Sequence, residues 1–182
     1  MLFRSLFVAN GHIFPQVDDY PGLREDFRQR NQLLVNVNGR FLDASSMSGP
    51  SLAAARSHRG LAVGDLDNDG APDLVVTSID ESPAIVRNRT KSSNNWIGFD
   101  LRCPSLANGL CIGARVSLKS GPTVQVREVR SGGSYLSQSD LRVHFGLHSH
   151  RAPVDIEVRL PGGRVQRVNG LRPGAYHVVT LE

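Results

Sequence analysis

The feature that most constrains the fold of this chain is an acidic stretch in its first half. The residues run Asp65-Leu66-Asp67-Asn68-Asp69-Gly70-Ala71-Pro72-Asp73, so that four carboxylates fall within nine positions. Carboxylates this close repel one another in a compact loop unless a cation neutralises them. Oxygen ligands at alternate positions, followed by a glycine that allows a sharp turn, are typical of calcium loops. The spacing predicts a calcium site, and the alternative is an acidic turn without a metal.

The predicted calcium ligands follow from their positions in the loop. In calcium loops the side chains at positions one, three and five supply oxygen, and position seven supplies its backbone carbonyl. A further carboxylate at the start of the next strand is expected to complete the shell. The predicted ligands are therefore Asp65, Asp67, Asp69, the carbonyl of Ala71, and Asp73.

The residues on either side of the loop argue against a helix–loop–helix calcium site. An EF-hand loop ends in a bidentate glutamate at position twelve, and that position is Val76 here. Residues 61–64 and 74–77 are short apolar runs, rich in β-branched residues and bounded by turn residues. Such runs are typical of strands, so the loop is predicted to join two strands.

The acidic loop and its flanks resemble an FG-GAP (VCBS-type) repeat of calcium-binding β-propellers. The resemblance covers residues 59–88, from Gly-Leu-Ala-Val-Gly-Asp-Leu-Asp-Asn-Asp-Gly-Ala-Pro-Asp-Leu-Val-Val to Ile85-Val86-Arg87-Asn88. It implies that the loop binds calcium between two strands of a propeller blade. A faint internal repeat relates residues 6–8 to 74–76 and residues 33–36 to 85–88. Two partial blades cannot close a propeller, which needs at least about four, so we expect this chain to be the C-terminal part of a longer protein.

A different pattern begins at Trp96, after a polar stretch at residues 90–95. Apolar and polar residues alternate in about seven short runs separated by glycine and proline turns, which is typical of a β-sandwich or small barrel. The predicted fold is therefore all-β, with partial propeller blades followed by a small β-domain. The predicted limits are residues 1–90 for the blades, 91–95 for a linker and 96–182 for the β-domain.

The second region resembles the ASPIC/UnbV domain, which follows FG-GAP repeats in bacterial proteins and in the cartilage acidic protein family. The residues that carry the resemblance are Gly113-Ala114-Arg115-Val116, Gln125-Val126-Arg127-Glu128-Val129-Arg130-Ser131-Gly132-Gly133-Ser134-Tyr135-Leu136-Ser137-Gln138, His144-Phe145-Gly146-Leu147 and Val158-Arg159-Leu160-Pro161-Gly162-Gly163. The resemblance implies a secreted or surface protein, and it defines the fold more closely than the activity.

A glycine-containing loop in this second region is a candidate binding site for an anion or a sugar. Its glycines can adopt positive φ and expose backbone amides beside basic side chains. The alternative is a structural corner in which Glu128 pairs with an arginine. The candidate residues are Arg127, Arg130, Ser131, Gly132, Gly133 and Ser134.

Two further groups of residues are weaker candidates for a functional or structural role. His144, His148 and His150 surround a predicted strand end and are a candidate transition-metal site, although their spacing matches no zinc pattern. Cys103 and Cys111 close a short loop between two predicted strands, which suits a disulfide in an oxidising compartment. The alternative is a pair of free, half-buried thiols, and the extracytoplasmic character implied by the resemblance favours the disulfide.

Charge and hydropathy exclude several classes of protein. The net charge is +4, and the chain contains no nucleic-acid-binding motif, so we expect no nucleic-acid partner. No apolar run approaches the roughly 20 residues of a membrane helix, and the first residues lack the pattern of a signal peptide. Because the resemblances imply a secreted or surface protein, we expect an extracytoplasmic fragment (secreted, periplasmic or on the cell surface) whose signal peptide is absent from this sequence.

The combined prediction is a calcium-binding, non-enzymatic module for interaction or adhesion, with a protein or glycan ligand at the cell surface. The sequence contains no complete catalytic set, such as a nucleophile elbow for a serine hydrolase. Two alternatives remain. The chain is a carbohydrate-binding module that uses the basic β-domain and the loop at residues 131–135, or it is the non-catalytic C-terminal part of a larger enzyme.

Overall fold

The runs of alternating apolar and polar residues form β-strands, because period-two alternation places one face of each strand against a core. The computed structural model describes residues 5–106 and 109–182, which contain thirteen strands and one short helix. The strands are β1 (Leu6–Val8), β2 (Gln32–Val37), β3 (Arg40–Asp43), β4 (His58–Gly64), β5 (Asp73–Ser78), β6 (Glu81–Val86), β7 (Asn95–Arg102), β8 (Arg115–Ser120), β9 (Thr123–Glu128), β10 (Val143–His148), β11 (Val154–Arg159), β12 (Val165–Leu171) and β13 (Tyr176–Thr180). The helix is α1 (Pro50–Ala53), and 3-10 turns occur at Pro15–Asp19, Pro21–Leu23 and Ser45–Met47.

The strands fall into two compact units, and neither contains a closed sheet among the described residues. The first unit comprises the described residues up to Ala62, together with Leu74–Arg87 and Ser134–Ser137. The second unit comprises Val63–Asp73, the described residues of Asn88–Gly133, and Gln138–Glu182. This architecture confirms the predicted all-β class, whereas the predicted domain limits stay predictions.

Antiparallel pairing organises the first unit. β1, β2 and β3 form one three-stranded sheet, and β5 lies between β4 and β6 in another. Asn38 and Gly39 connect β2 to β3 with φ of +53° and +87°, as a two-residue hairpin turn with two left-handed positions requires. The β1–β2 pairing and the β5–β6 pairing have the same antiparallel sense, in agreement with the faint repeat in the sequence.

Polar groups make up much of the interior of the first unit. Its fully buried apolar side chains, within the described residues, are Val17, Leu52 and Val76. His58 is only 4% exposed, and its Nδ1 lies 3.1 Å from the carbonyl oxygen of Asn10. Asn31 Nδ2 lies 3.3 Å from His58 Nε2. These contacts fix a neutral imidazole whose Nδ1–H donates to Asn10 and whose Nε2 accepts from Asn31.

The second unit has an apolar core between two open sheets. One sheet has the order β10-β7-β13, in which β7 and β13 run parallel, and the other has the order β12-β11-β8-β9. Phe99 of β7 and Phe145 of β10 meet edge to face at 5.8 Å between ring centroids. Val116, Ile156 and Val158 from the other sheet belong to the same buried cluster. This arrangement is a sandwich, one of the two forms predicted for the region.

A disulfide links the end of β7 to the loop that leads towards β8. Cys103 and Cys111 are bonded, with 5.4 Å between their Cα atoms. Both residues are only 1% exposed and belong to the apolar cluster of the second unit. The bond therefore restrains the chain next to the core rather than at the surface.

We expect removal of this disulfide to destabilise the second unit. The half-cystines are eight positions apart, and the loop entropy released in the unfolded chain corresponds to about 2–3 kcal/mol. The double variant Cys103→Ala/Cys111→Ala should therefore lower the free energy of unfolding in urea by about that amount. Treatment of the unaltered chain with a reductant should give the same loss, and an unchanged urea midpoint would contradict the prediction.

We also expect His58 to make stability depend on pH. Burial lowers the pKa of His58 below the usual value of about 6.5. Near that pH the unfolded chain binds more protons than the folded chain, so the free energy of unfolding should fall as the pH drops from about 7 to 5. Burial likewise lowers the pKa of His144, which adds to the same loss.

The measurement is the free energy of unfolding from urea titrations at several pH values. His58→Gln removes one titrating group and should reduce the pH dependence between about pH 5 and 7, leaving the smaller dependence that His144 contributes. His148→Asn is the matched control, because that side chain is exposed and asparagine tolerates its φ of +51°. Equal pH dependence in His58→Gln and the unaltered chain would contradict the prediction.

Candidate metal centre

The acidic loop connects β4 to β5, as the sequence predicts. β4 ends at Gly64 and β5 begins at Asp73, so that Asp65 and Asp73 lie at the two strand ends. Asn68 and Gly70 take φ of +60° and +86°, which turn the chain sharply; asparagine tolerates this region and glycine adopts it without strain. The turn brings the two ends of the loop together.

Three carboxylates converge in this loop. Asp65, Asp67 and Asp73 each place one oxygen within 4.8 Å of the others. Asp65 and Asp73 are 4% and 2% exposed, while Asp67 is exposed. Calcium holds its oxygen ligands at about 2.3–2.6 Å, so two oxygens on opposite sides of the ion lie about twice that distance apart. The 4.8 Å that encloses the three carboxylate oxygens agrees with such a separation. The donor set therefore fits a calcium ion.

Backbone amides orient the two buried carboxylates. The Asp65 carboxylate accepts hydrogen bonds from the amides of Asp69, at 3.1 Å, and Gly70, at 2.8 Å. The Asp73 carboxylate accepts from the amides of Leu66, at 3.2 Å, and Asn88, at 2.7 Å. Each carboxylate oxygen has two lone pairs, so these bonds leave acceptor capacity on both groups for a cation.

Asp69 takes a different role in this structure from its three neighbours. Its Oδ1 accepts a hydrogen bond from the amide of Ala71 at 2.8 Å, a local turn within the loop. Asp69 lies outside the group of converging carboxylates. Ligation by Asp69 and by the carbonyl of Ala71 stays a prediction.

Three side chains from the β-domain surround the loop, and the sequence analysis did not identify them as site residues. Arg142 donates from Nη2 to the carbonyl of Asp65 at 2.8 Å and from Nη1 to Oδ1 of Asn68 at 2.5 Å. Tyr176 lies close enough to the Asp65 carboxylate for the two groups to interact electrostatically. The indole of Trp96 lies against Gly70, where a Cβ atom would come within 2.0 Å of it.

The pKa values of Tyr176 and Arg142 are both shifted by their surroundings. Burial, together with the Asp65 carboxylate, raises the pKa of Tyr176 above its usual range, so the phenol keeps its proton. A hydrogen bond from Arg142 to Asp140 raises the pKa of the guanidinium. Asp140 Oδ2 lies 2.6 Å from Arg142 Nη2. The guanidinium of Arg142 therefore lies beside the loop with its positive charge offset by Asp140.

The candidate anion-binding loop at residues 127–134 is a turn stabilised by Gln138. Gly132 and Gly133 have φ of +75° and +128°. The amide of Gly132 donates to Oε1 of Gln138 at 2.7 Å, and Nε2 of Gln138 donates to the carbonyls of Arg130, at 3.4 Å, and Ser139, at 2.6 Å. The amide that an anion would need at Gly132 already has an acceptor, which favours the structural corner.

The charged residues near this turn also have partners. Glu128 pairs with Arg115 at 3.3 Å and with Arg130 at 3.7 Å. The guanidinium of Arg127 lies over the ring of Phe145, 5.4 Å from its centroid. Ser131 and Ser134 are exposed. Binding of an anion or a sugar by these residues stays a prediction.

The three candidate histidines do not gather into a metal site. The group of three converging carboxylates in the acidic loop is the only set of metal-ligating side chains of that size within residues 5–106 and 109–182. The ring of His144 instead stacks on Trp96, with 5.5 Å between centroids and an interplanar angle of 18°. It also interacts electrostatically with Gly70 and Asp65, so His144 belongs to the surroundings of the acidic loop.

Two family models match the chain. The model for the FG-GAP-like repeat matches residues 23–76, and the model for ASPIC and UnbV matches residues 105–182. No curated protein matches this chain. The first match contains the acidic loop and the second contains Arg142 and Tyr176. This chain is therefore a protein in which an FG-GAP-like repeat is followed by an ASPIC and UnbV domain.

Proposed function

We propose that this chain is a calcium-binding, non-enzymatic module that mediates interactions outside the cytoplasm. The observation that carries the proposal is the convergence of the Asp65, Asp67 and Asp73 carboxylates at the ends of two paired strands. These residues would hold the ion, and the ion would neutralise their charge. Its role would be structural, since it would fix the shape of the loop between β4 and β5.

The donor set favours calcium over magnesium. Calcium accepts six to eight oxygen ligands in flexible geometry, whereas magnesium requires near-ideal octahedral geometry and gives up its waters reluctantly. The loop offers carboxylates of unequal exposure, with Asp67 exposed and the other two buried. Such an irregular shell, completed by a backbone carbonyl and water, suits the larger ion.

Two observations support the proposed location. FG-GAP-like repeats are typical of extracellular proteins, and the Cys103–Cys111 disulfide is of the kind that persists in oxidising compartments. Within the described residues, the helices are too short and too polar to cross a membrane. A protein or glycan at the cell surface is the proposed partner, as in the adhesion role expected from the sequence.

Calcium should raise the thermal stability of the chain. A ligand that binds only the folded state adds about 2.7 kcal/mol at 100 times its dissociation constant. For a chain of this length, that corresponds to a rise of roughly 5–10 °C in the melting temperature. The measurement is a thermal melt in EDTA, in excess calcium and in excess magnesium, with the dissociation constant for calcium obtained by calorimetric titration.

The variant Asp67→Asn tests the assignment of the site. It removes a charge from the converging group while keeping the size of the side chain, so the calcium-induced rise should be lost. Asp80→Asn is the matched control, because Asp80 is exposed, lies outside the acidic loop and has φ of +55°, which asparagine tolerates. A melt that is indifferent to calcium, or a rise of equal size in Asp67→Asn, would overturn the proposed function.

A further inference from the structure

Three side chains of the second unit hold the acidic loop, although none of them belongs to the proposed ligand set. We propose that Trp96, Arg142 and Tyr176, here called the loop clamp, fix the loop in its ion-binding shape and thereby couple calcium binding to the stability of the second unit. The inference rests on the proposed calcium site. It adds positioning residues from the β-domain, and it adds a consequence of ion binding outside the loop.

Arg142 binds the loop at two points, one on the backbone and one on a side chain. Its two terminal nitrogens donate to the carbonyl of Asp65 at 2.8 Å and to the side chain of Asn68 at 2.5 Å. The planar guanidinium can make both bonds at once, which an ammonium cannot do with the same geometry. Asp140 pairs with Arg142 at 2.6 Å and offsets the charge of the guanidinium. We therefore expect Arg142 to affect a bound cation mainly through the shape that it gives the loop, and less through charge repulsion.

Tyr176 supports Arg142 beside a proposed ligand. Its ring lies beneath the Arg142 guanidinium, 4.0 Å from the ring centroid, and the nearby Asp65 carboxylate adds to the effect of burial in raising its pKa. The ring is seated on the backbone of Gly98, where a Cβ atom would come within 2.1 Å of it. The position of Tyr176 is therefore set by the sheet, and Tyr176 in turn supports the Arg142 guanidinium that binds the loop.

Trp96 packs against the turn of the loop. The indole occupies the space that a side chain at position 70 would need, since a Cβ atom on Gly70 would lie 2.0 Å from Trp96 Nε1. Trp96 also contacts Tyr176, with 5.0 Å between ring centroids. Gly70 thus permits both the positive φ of the turn and the close approach of the indole.

The loop clamp draws on all three strands of one sheet. Trp96 lies in β7, Tyr176 begins β13, and Arg142 immediately precedes β10, and these strands form the sheet of order β10-β7-β13. A loop held in one shape therefore ties together the ends of three strands. Because binding and conformational free energies are reciprocal, an ion that favours the clamped loop also favours the ordered sheet.

Trp96 provides a direct measurement, because it is the single tryptophan of the chain. We expect its emission to change during a calcium titration of the unaltered chain. In EDTA, Arg142→Gln should make Trp96 more accessible to acrylamide quenching, since the loop that covers the indole is released. This second measurement tests the loop clamp without any metal.

The effect on calcium affinity is the central test. Loss of a partner that orients a metal ligand typically weakens metal binding by about 10–100-fold, and we expect a change of that size in the calorimetric dissociation constant of Arg142→Gln. Arg142→Lys keeps the charge but loses the paired hydrogen bonds, so it should also bind calcium more weakly. Arg164→Gln is the matched control, because Arg164 is exposed and lies in the turn between β11 and β12, outside the sheet that carries the loop clamp.

A more conservative variant separates weaker calcium binding from loss of folding. Tyr176→Phe removes only the hydroxyl and keeps the ring contacts with Arg142 and Trp96, so its circular dichroism should match that of the unaltered chain. It should bind calcium more weakly than the unaltered chain and more tightly than Arg142→Gln.

The outcomes separate the inference from the proposed function. If the unaltered chain binds calcium and both Arg142→Gln and Tyr176→Phe bind it with the same affinity, the loop clamp is overturned and the calcium site stands. Tighter binding by Arg142→Gln and Arg142→Lys would also overturn it, because repulsion would then outweigh positioning. If the unaltered chain binds no calcium, the proposed function and the coupling both fail, while acrylamide quenching still decides whether Arg142 holds the loop.

Discussion

Repulsion among the Asp65, Asp67 and Asp73 carboxylates is the constraint on which the candidate site depends. Two of these groups are buried at strand ends, where they cannot separate without breaking the pairing of β4 and β5. Backbone amides donate to both buried groups, and such bonds stabilise a carboxylate without cancelling its charge. A cation at the point of convergence is therefore the simplest way to reconcile the strand pairing with the charge.

The two compact units are stabilised by different interactions, and this difference matters for the loop. The first unit has few buried apolar side chains among its described residues and relies on strand pairing and on the hydrogen bonds around His58. The second unit has a continuous apolar cluster and the disulfide. The acidic loop belongs to the second unit. A site supported by a packed core keeps its ligands in place more accurately than a site on an unsupported loop.

Local features were predictable from the sequence, and long-range contacts were not. The Asn38-Gly39 turn, the strands on either side of the acidic loop and the convergence of three aspartates follow from short-range spacing. The role of Asp69 could not be predicted from the spacing of the loop. An aspartate at that position can either bind a metal or accept a hydrogen bond from the amide two residues later, and Asp69 accepts from the amide of Ala71. Arg142 acts on residues 74 and 77 positions away, and a single arginine without a periodic pattern gives no signal of such a contact. The parallel pairing of β7 with β13 could not be predicted either, because it joins two strands that are far apart in sequence.

The limits of the family matches differ from the limits of the structure, and the physical reason lies in β7. The FG-GAP-like match ends at residue 76 and the ASPIC and UnbV match begins at residue 105, so β7 and Cys103 fall between the two matches. Yet β7 is the central strand of its sheet, since β10 pairs with one of its edges and β13 with the other. Without the stretch that contains β7 and Cys103, these two strands would have no common partner, Phe145 would lose Phe99, and Cys111 would lose its disulfide. The folding unit of the β-domain must therefore include the stretch that carries Trp96, which is also the stretch that contacts the acidic loop.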